Sequence, residues 1–284
     1  MEALTNNIES LLALPIEDLR HHAQVPFRIL HDNAVLLEHF ALSIAHEIQS
    51  RNERAEPTRL ILPVGPVAHY RTLVDLCNRE RISWKNVQTF NMDELLDWQG
   101  RPIALDHPLS FEGFMQREVF DQLDYELRPP PEQCHFPHPF YPDEISAAIE
   151  QAGGIDVCFG GIALNEPPPS GWGRISVDEL RDSLTRVVTL SDHSIVVQST
   201  ACAGGSSASI PPMAVTLGMR DILASRKIRL YCAGGARHSA IFRITVAGEV
   251  STHFPSTLVQ GHPDVEVLTD QATAAPVSIG LLRG

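Results

Sequence analysis

The stretch Val87-Gln88-Thr89-Phe90-Asn91-Met92-Asp93-Glu94 decides the fold. It is a short apolar run of strand character that ends in two carboxylates, and α/β proteins place their chemistry at the carboxyl ends of parallel strands. Outward from it, further short β-branched or apolar runs fall at residues 59–62, 155–159, 186–190, 227–232 and 265–269. Between them, residues 67–81, 143–152, 217–224 and 237–246 carry the helical period. This alternation predicts an α/β fold, a Rossmann-like parallel sheet with helices on both faces.

Residues 1–50 form a helical segment expected to pack on the core, with Leu36, Leu37, His39, Phe40, Leu42, Ile44 and Ile48 spaced for one buried face. Residues 51–284 then make a single α/β domain. Six prolines between residues 128 and 142 (Pro129, Pro130, Pro131, Pro137, Pro139 and Pro142) exclude a helix interior or a central strand and predict a rigid surface connection.

With 284 residues, 43% of them hydrophobic, the chain can bury a full core. No apolar run approaches the roughly 18 residues of a membrane span, and the opening Met1 to Asn7 lacks the basic and apolar regions of a signal peptide, so a cytoplasmic setting is expected. Cys77, Cys134, Cys158, Cys202 and Cys232 are odd in number and widely spaced, which predicts reduced, structural thiols rather than a metal site. A formal charge of -13 argues against nucleic-acid binding, and it requires that an anionic ligand find a locally positive pocket.

Five motifs recur in order: Phe90 to Glu94, His107-Pro108 with Ser110-Phe111, Phe159-Gly160-Gly161, Asn165-Glu166-Pro167, and Ala214 to Met219. In this order and spacing, over roughly residues 60–270, the chain resembles the glucosamine-6-phosphate deaminase/isomerase family. The resemblance implies opening of an amino-sugar phosphate ring, transfer of a proton between C2 and C1, and release of ammonia to leave a ketose phosphate. The specific reaction implied is glucosamine 6-phosphate to fructose 6-phosphate, or a related aldose-ketose isomerisation. It makes Asp93 the base, with Glu94 beside it, and Glu166 the carboxylate that supports a ring-opening histidine. Gly65, Asn91, Gly160, Gly161, Asn165 and Arg237 become the expected substrate-binding residues, with Arg237 near the family's phosphate-binding lysine. No metal or organic cofactor is implied. A sugar phosphate is the expected small-molecule partner, and a homo-oligomer the expected assembly.

Two departures qualify the resemblance. Gly160-Gly161 runs straight into Ile162-Ala163-Leu164-Asn165, about six residues short of the family's glycine-rich loop, so the ring-opening histidine has no counterpart in place. His69, His107 and His193 stand as open candidates for its substitute. The loop after the first of these strands reads Pro63-Val64-Gly65-Pro66 where many members have Gly-Gly-Thr, and Thr200 stands where many have an arginine. A catalytically silent sugar-phosphate binder is therefore the alternative, with a lactonase-like hydrolase third. Plainer readings also stand: Asp93 and Glu94 as a helix cap and its solvated neighbour, Glu166 as a cap, Gly65 and Gly234-Gly235 as tight turns, and Arg237 as half of a surface ion pair.

Overall fold

The structure is a computed structural model that describes residues 2–166 and 175–277, with side chains from residue 8 onward. Ten strands follow in chain order: β1 Phe27–Leu30, β2 Thr58–Leu62, β3 Val87–Asn91, β4 Asp93–Leu96, β5 Cys134–His135, β6 Val157–Gly160, β7 Arg186–Thr189, β8 Met213–Thr216, β9 Lys227–Cys232 and β10 Val265–Asp270. Seven of them form one sheet in the order β1-β10-β9-β6-β2-β3-β5. Every pairing in it is parallel. The other three, β4-β8-β7, form a small antiparallel sheet.

Alternation along the parallel strands sorts their side chains into two cores. Leu60, Leu62, Val157, Phe159, Tyr231 and Leu268 face the layer built by helices Asn33–Glu53 and Ala68–Glu80. Their neighbours Ile61, Cys158, Ile228, Leu230 and Val267 face helices Asp143–Ala152, Met219–Leu223 and Ser239–Ala247. A strand covered on both faces is apolar at successive positions, which is why these runs are nearly continuous in hydrophobicity.

The N-terminal edge of the sheet is pinned by one carboxylate. Asp156 is 1% exposed and joins three arginines. Its Oδ1 accepts from Arg51 at 2.7 Å and Arg226 at 2.8 Å, with Arg59 at 3.4 Å, and its Oδ2 accepts from the Arg59 backbone amide at 2.9 Å. Helix Asn33–Glu53, the start of β2 and the entry to β9 thus share one acceptor.

Several expectations are revised. Residues 1–50 are not helical throughout, since they hold helices Glu2–Ala13 and Ile16–His22, then β1 at the edge of the main sheet, then helix Asn33–Glu53. Leu42 is exposed, on the outer side of that helix. The predicted strand at 186–190 pairs in the small sheet, and residues 213–216 form a strand that was not expected. The following helix therefore begins at Met219, and the one expected from Arg237 begins at Ser239. The proline-rich connection carries the short edge strand β5, paired with Thr89 and Phe90. Pro167 lies outside the described residues, as does the rest of 167–174. All five cysteines are unbridged, but Cys202 is exposed at the end of helix Asp192–Cys202 and supports no core.

Removing Asp156 leaves three guanidinium groups without their shared acceptor. Asp156→Ala is expected to lower the free energy of unfolding by about 3–5 kcal/mol, read from urea denaturation.

Candidate active site at the carboxyl ends of the parallel strands

From β2 the chain steps outward to β3 and β5, then returns to the opposite side of β2 with β6. The strand order thus reverses between β2 and β6, and ligands of open α/β sheets bind outside the carboxyl ends at such a reversal. Two loops leave there, 63–67 after β2 and 161–166 after β6. Gly160 holds them together, because at its φ of 101° a Cβ would sit 2.2 Å from Cγ of Pro63. The Tyr70 hydroxyl donates to the Pro63 carbonyl at 2.6 Å and fixes the first loop from below. Gly65 adopts a φ of 148° that favours glycine, and a Cβ there would meet nothing within 4 Å; the space beside Gly161 is similarly open.

Asp93 opens β4 directly beside this reversal, paired with Thr216 of β8, which in turn pairs with Arg186 of β7. Cross-strand partners share a face, so aspartate, threonine and arginine form one row across the small sheet. Asp93 is 7% exposed, and burial, with the charge of Glu94 adding to it, pushes its carboxyl up to about 7 against the pull of the Leu164 amide. The same amide donates to Thr216 Oγ1 at 3.1 Å, so the shortened loop closes directly over the acid.

Glu94 has a different part. Adjacent strand residues point to opposite faces, and Glu94 accepts from the amides of Leu95 at 2.8 Å, Phe111 at 3.0 Å and Glu112 at 2.8 Å and from the Ser110 hydroxyl at 3.1 Å. It anchors the start of helix Phe111–Met115, with its carboxylate engaged by these four donors. Asn165 is also turned inward. Its Nδ2 donates to the carbonyls of Ile162 at 2.7 Å and Leu217 at 2.9 Å, and its Oδ1 accepts from Arg186 at 3.0 Å, so it stitches the loop to the small sheet.

Glu166 is half-buried at the end of the same loop. Its backbone carbonyl accepts from Arg186 at 3.2 Å, and its carboxylate accepts from the Ser194 hydroxyl on helix Asp192–Cys202. Asn91 is wholly buried beside Leu62, and neither its amide nitrogen nor its oxygen has a partner among the described residues. An unpaired buried amide costs about 1–3 kcal/mol, a cost that recurs at functional sites. Arg237 ends the turn Gly235–Arg237 after β9, exposed, without an ion pair or hydrogen bond among the described residues. The described residues contain no cluster of side chains arranged to hold a metal ion.

Arg186, Thr216, Ser194 and the Leu164 amide were not foreseen. Arg186 and Thr216 enter through strand register, which leaves no local mark in sequence. A groove of about 600 Å³, lined by Val67, Tyr70, Arg71, Phe114 and Glu118, lies between helix Ala68–Glu80 and residues 114–122, and none of the candidate residues lines it.

Fold and site together define an α/β protein with a buried carboxylate at the strand-order reversal of a parallel sheet. Glucosamine-6-phosphate deaminase of Porphyromonas gingivalis (strain W83) is 32% identical over 252 residues, 83% of this chain and 89% of that protein. The enzyme of the same name from Thermoanaerobacter pseudethanolicus is 30% identical over 243 residues, 81% of this chain and 88% of the relative. A monomeric glucosamine-6-phosphate deaminase of the NagB superfamily superposes with a TM-score of 0.70 at 26% identity, over 88% of this chain and 98% of its own. The 6-phosphogluconolactonase of Thermotoga maritima shares the fold, with a TM-score of 0.59 at 16% identity, over 87% of this chain and 99% of its own. No protein-family model matches the chain. The chain belongs to the glucosamine-6-phosphate deaminase family.

The raised pKa of Asp93 has a defined sign. Folded Asp93 holds its proton more tightly than the unfolded chain does, so its contribution to stability is full at low pH and is lost between about pH 4 and 7. Asp93→Asn escapes that loss. Relative to the native protein it is expected to gain stability as pH rises through this window, by a few kcal/mol at about pH 8, measured by urea denaturation across pH.

Proposed function

We propose that the protein is an amino-sugar phosphate deaminase/isomerase that converts glucosamine 6-phosphate to fructose 6-phosphate and ammonia, with Asp93 as the base. The observation that carries this reading is the buried carboxyl of Asp93, raised to about 7 where the strand order reverses. Proton abstraction beside a carbonyl works best with a base whose pKa lies near the working pH. In the open-chain sugar, Asp93 takes the C2 proton and returns it to C1, the amine-bearing carbon becomes an imine, and water replaces the nitrogen as ammonia. Burial around Asp93 keeps bulk water from taking the proton in its place.

Arg237 is proposed as a phosphate contact, because it is an exposed cation without an ion pair or hydrogen bond among the described residues, in a chain whose net charge is -13. Gly65 leaves room for the ligand after β2, and Asn91 is the polar group there whose hydrogen bonds are unmet. Glu166, whose carboxylate accepts from Ser194 on helix Asp192–Cys202, is proposed to assist ring opening. A silent binder is the second reading, favoured by a loop 161–166 that contains no imidazole. A homo-oligomer in the cytoplasm belongs to the same proposal; sedimentation velocity on the purified chain tests the assembly.

Ammonia release from glucosamine 6-phosphate by the purified protein is the deciding measurement. Asp93→Asn is expected to lower kcat by at least about 10², and kcat/KM of the native protein to rise with pH through about 7 as Asp93 loses its proton. Saturable binding of the sugar phosphate with no ammonia released establishes the silent binder instead.

A further inference from the structure

We propose that Arg186 is the latch that holds the strained loop 161–166 closed over Asp93, a positioning residue for the transfer of the C2 proton. Its part in turnover rests on the deaminase reading above. The loop is not at rest in this shape. Ala163 stands at a φ of 59°, in the left-handed region that a residue with a Cβ rarely adopts, and the Glu166 amide turns back onto the Leu164 carbonyl at 2.7 Å. Backbone of this kind persists only where the groups around it fix it.

Arg186 is half-buried at the start of β7 and grips two consecutive loop residues with one planar group. Nη1 donates to Asn165 Oδ1 at 3.0 Å, and Nη2 donates to the Glu166 carbonyl at 3.2 Å. Nη1 also reaches Ser183 Oγ at 3.2 Å and the Leu184 carbonyl at 3.4 Å, which tie the guanidinium to the entry of its own strand. All four acceptors are neutral, and burial holds the group below the usual arginine range. A guanidinium kept for a surface ion pair would lie on a carboxylate in water; this one is drawn inward and engaged by the loop. A rigid fork of donors suits that task, since it binds two acceptors in fixed geometry.

Strand register ties this grip to the acid. Arg186 pairs with Thr216 and Thr216 with Asp93, so the three lie in one row on one face of the small sheet. Thr216 Oγ1 accepts from the Leu164 amide at 3.1 Å, in the middle of the loop, while Arg186 holds its end at residues 165 and 166. Strain at Ala163 lies ahead of these anchors, so release of the guanidinium lets the loop relax away from Thr216 and admits water to Asp93. A proton held on Asp93 between C2 and C1 then exchanges with solvent.

The test uses Arg186→Met and Arg186→Lys in the full chain, with amide hydrogen exchange read residue by residue by NMR. In Arg186→Met the Leu164 amide is expected to exchange at least about tenfold faster than in the native protein, with the amides of β2 and β9 unchanged. Arg186→Lys is expected to fall between, because one ammonium does not span both acceptors; if the Met variant does not fold, the Lys variant is read by the same criteria. Leu164 exchange as slow as in the native protein overturns the latch, as does acceleration shared equally by β2 and β9, which makes Arg186 a support of the whole fold. Turnover is read with glucosamine 6-phosphate deuterated at C2. The share of deuterium recovered at C1 of fructose 6-phosphate is expected to fall at least about twofold in the variants. A share that is unchanged, or already zero in the native protein, overturns the role in proton transfer. A native protein that releases no ammonia removes the deaminase reading, and amide exchange alone then decides the latch.

Discussion

The structure depends on the way Asp156 fixes the amino-terminal edge of the parallel sheet. One buried carboxylate receiving three guanidinium groups locks helix Asn33–Glu53 and strands β2, β6 and β9 into a common register at that edge. Removing charges from water is costly unless each is hydrogen-bonded, and here both carboxylate oxygens are engaged. The short 161–166 connection caps the sheet at its carboxyl end, and Gly160 against Pro63 with Asn165 against Leu217 hold it closed.

Chemistry at the other end follows from burial. Asp93 and Glu94 are neighbours in sequence and equally hidden, but the pleat of β4 sends them to opposite faces. Four donors meet Glu94, which makes it an anchor. One shared amide meets Asp93, which leaves its charge poorly solvated and its proton available for exchange near neutral pH. Burial raises both carboxyls; four donors offset it at Glu94, whereas at Asp93 the Leu164 amide opposes it and the charge of Glu94 adds to it.

Much of this was legible from residue patterns and some was not. The parallel strands read clearly because each is apolar at consecutive positions between helices of clear period, as at Ile61-Leu62 and Cys158-Phe159. β5 escaped because two residues among prolines carry no period, and β8 because Ala214-Val215-Thr216 runs without a break into the helix after it. At the site, Asp93 was marked by its place after an apolar strand. The inward roles of Glu94 and Asn165 were not, since a polar residue that satisfies local backbone and one that faces a ligand look alike until their partners are placed. Arg186 and Thr216 join Asp93 only through antiparallel pairing across more than ninety residues, information that resides in register and not in any local motif.

The helix Asp192–Cys202 has the candidate site at its first turn and an exposed thiol at its last. Burial raises the other cysteines well above the ordinary thiol range, to about 11 for Cys77 and Cys134 and about 12 for Cys232, with Cys158 higher still. Burial raises the Cys202 thiol too, but it alone is exposed, so an alkylating dye meets Cys202 before any of them. The chain therefore carries a native attachment point for a fluorophore on the far end of a rod whose near end bonds Glu166, and displacement of that rod by a ligand can be followed optically without introducing a new cysteine.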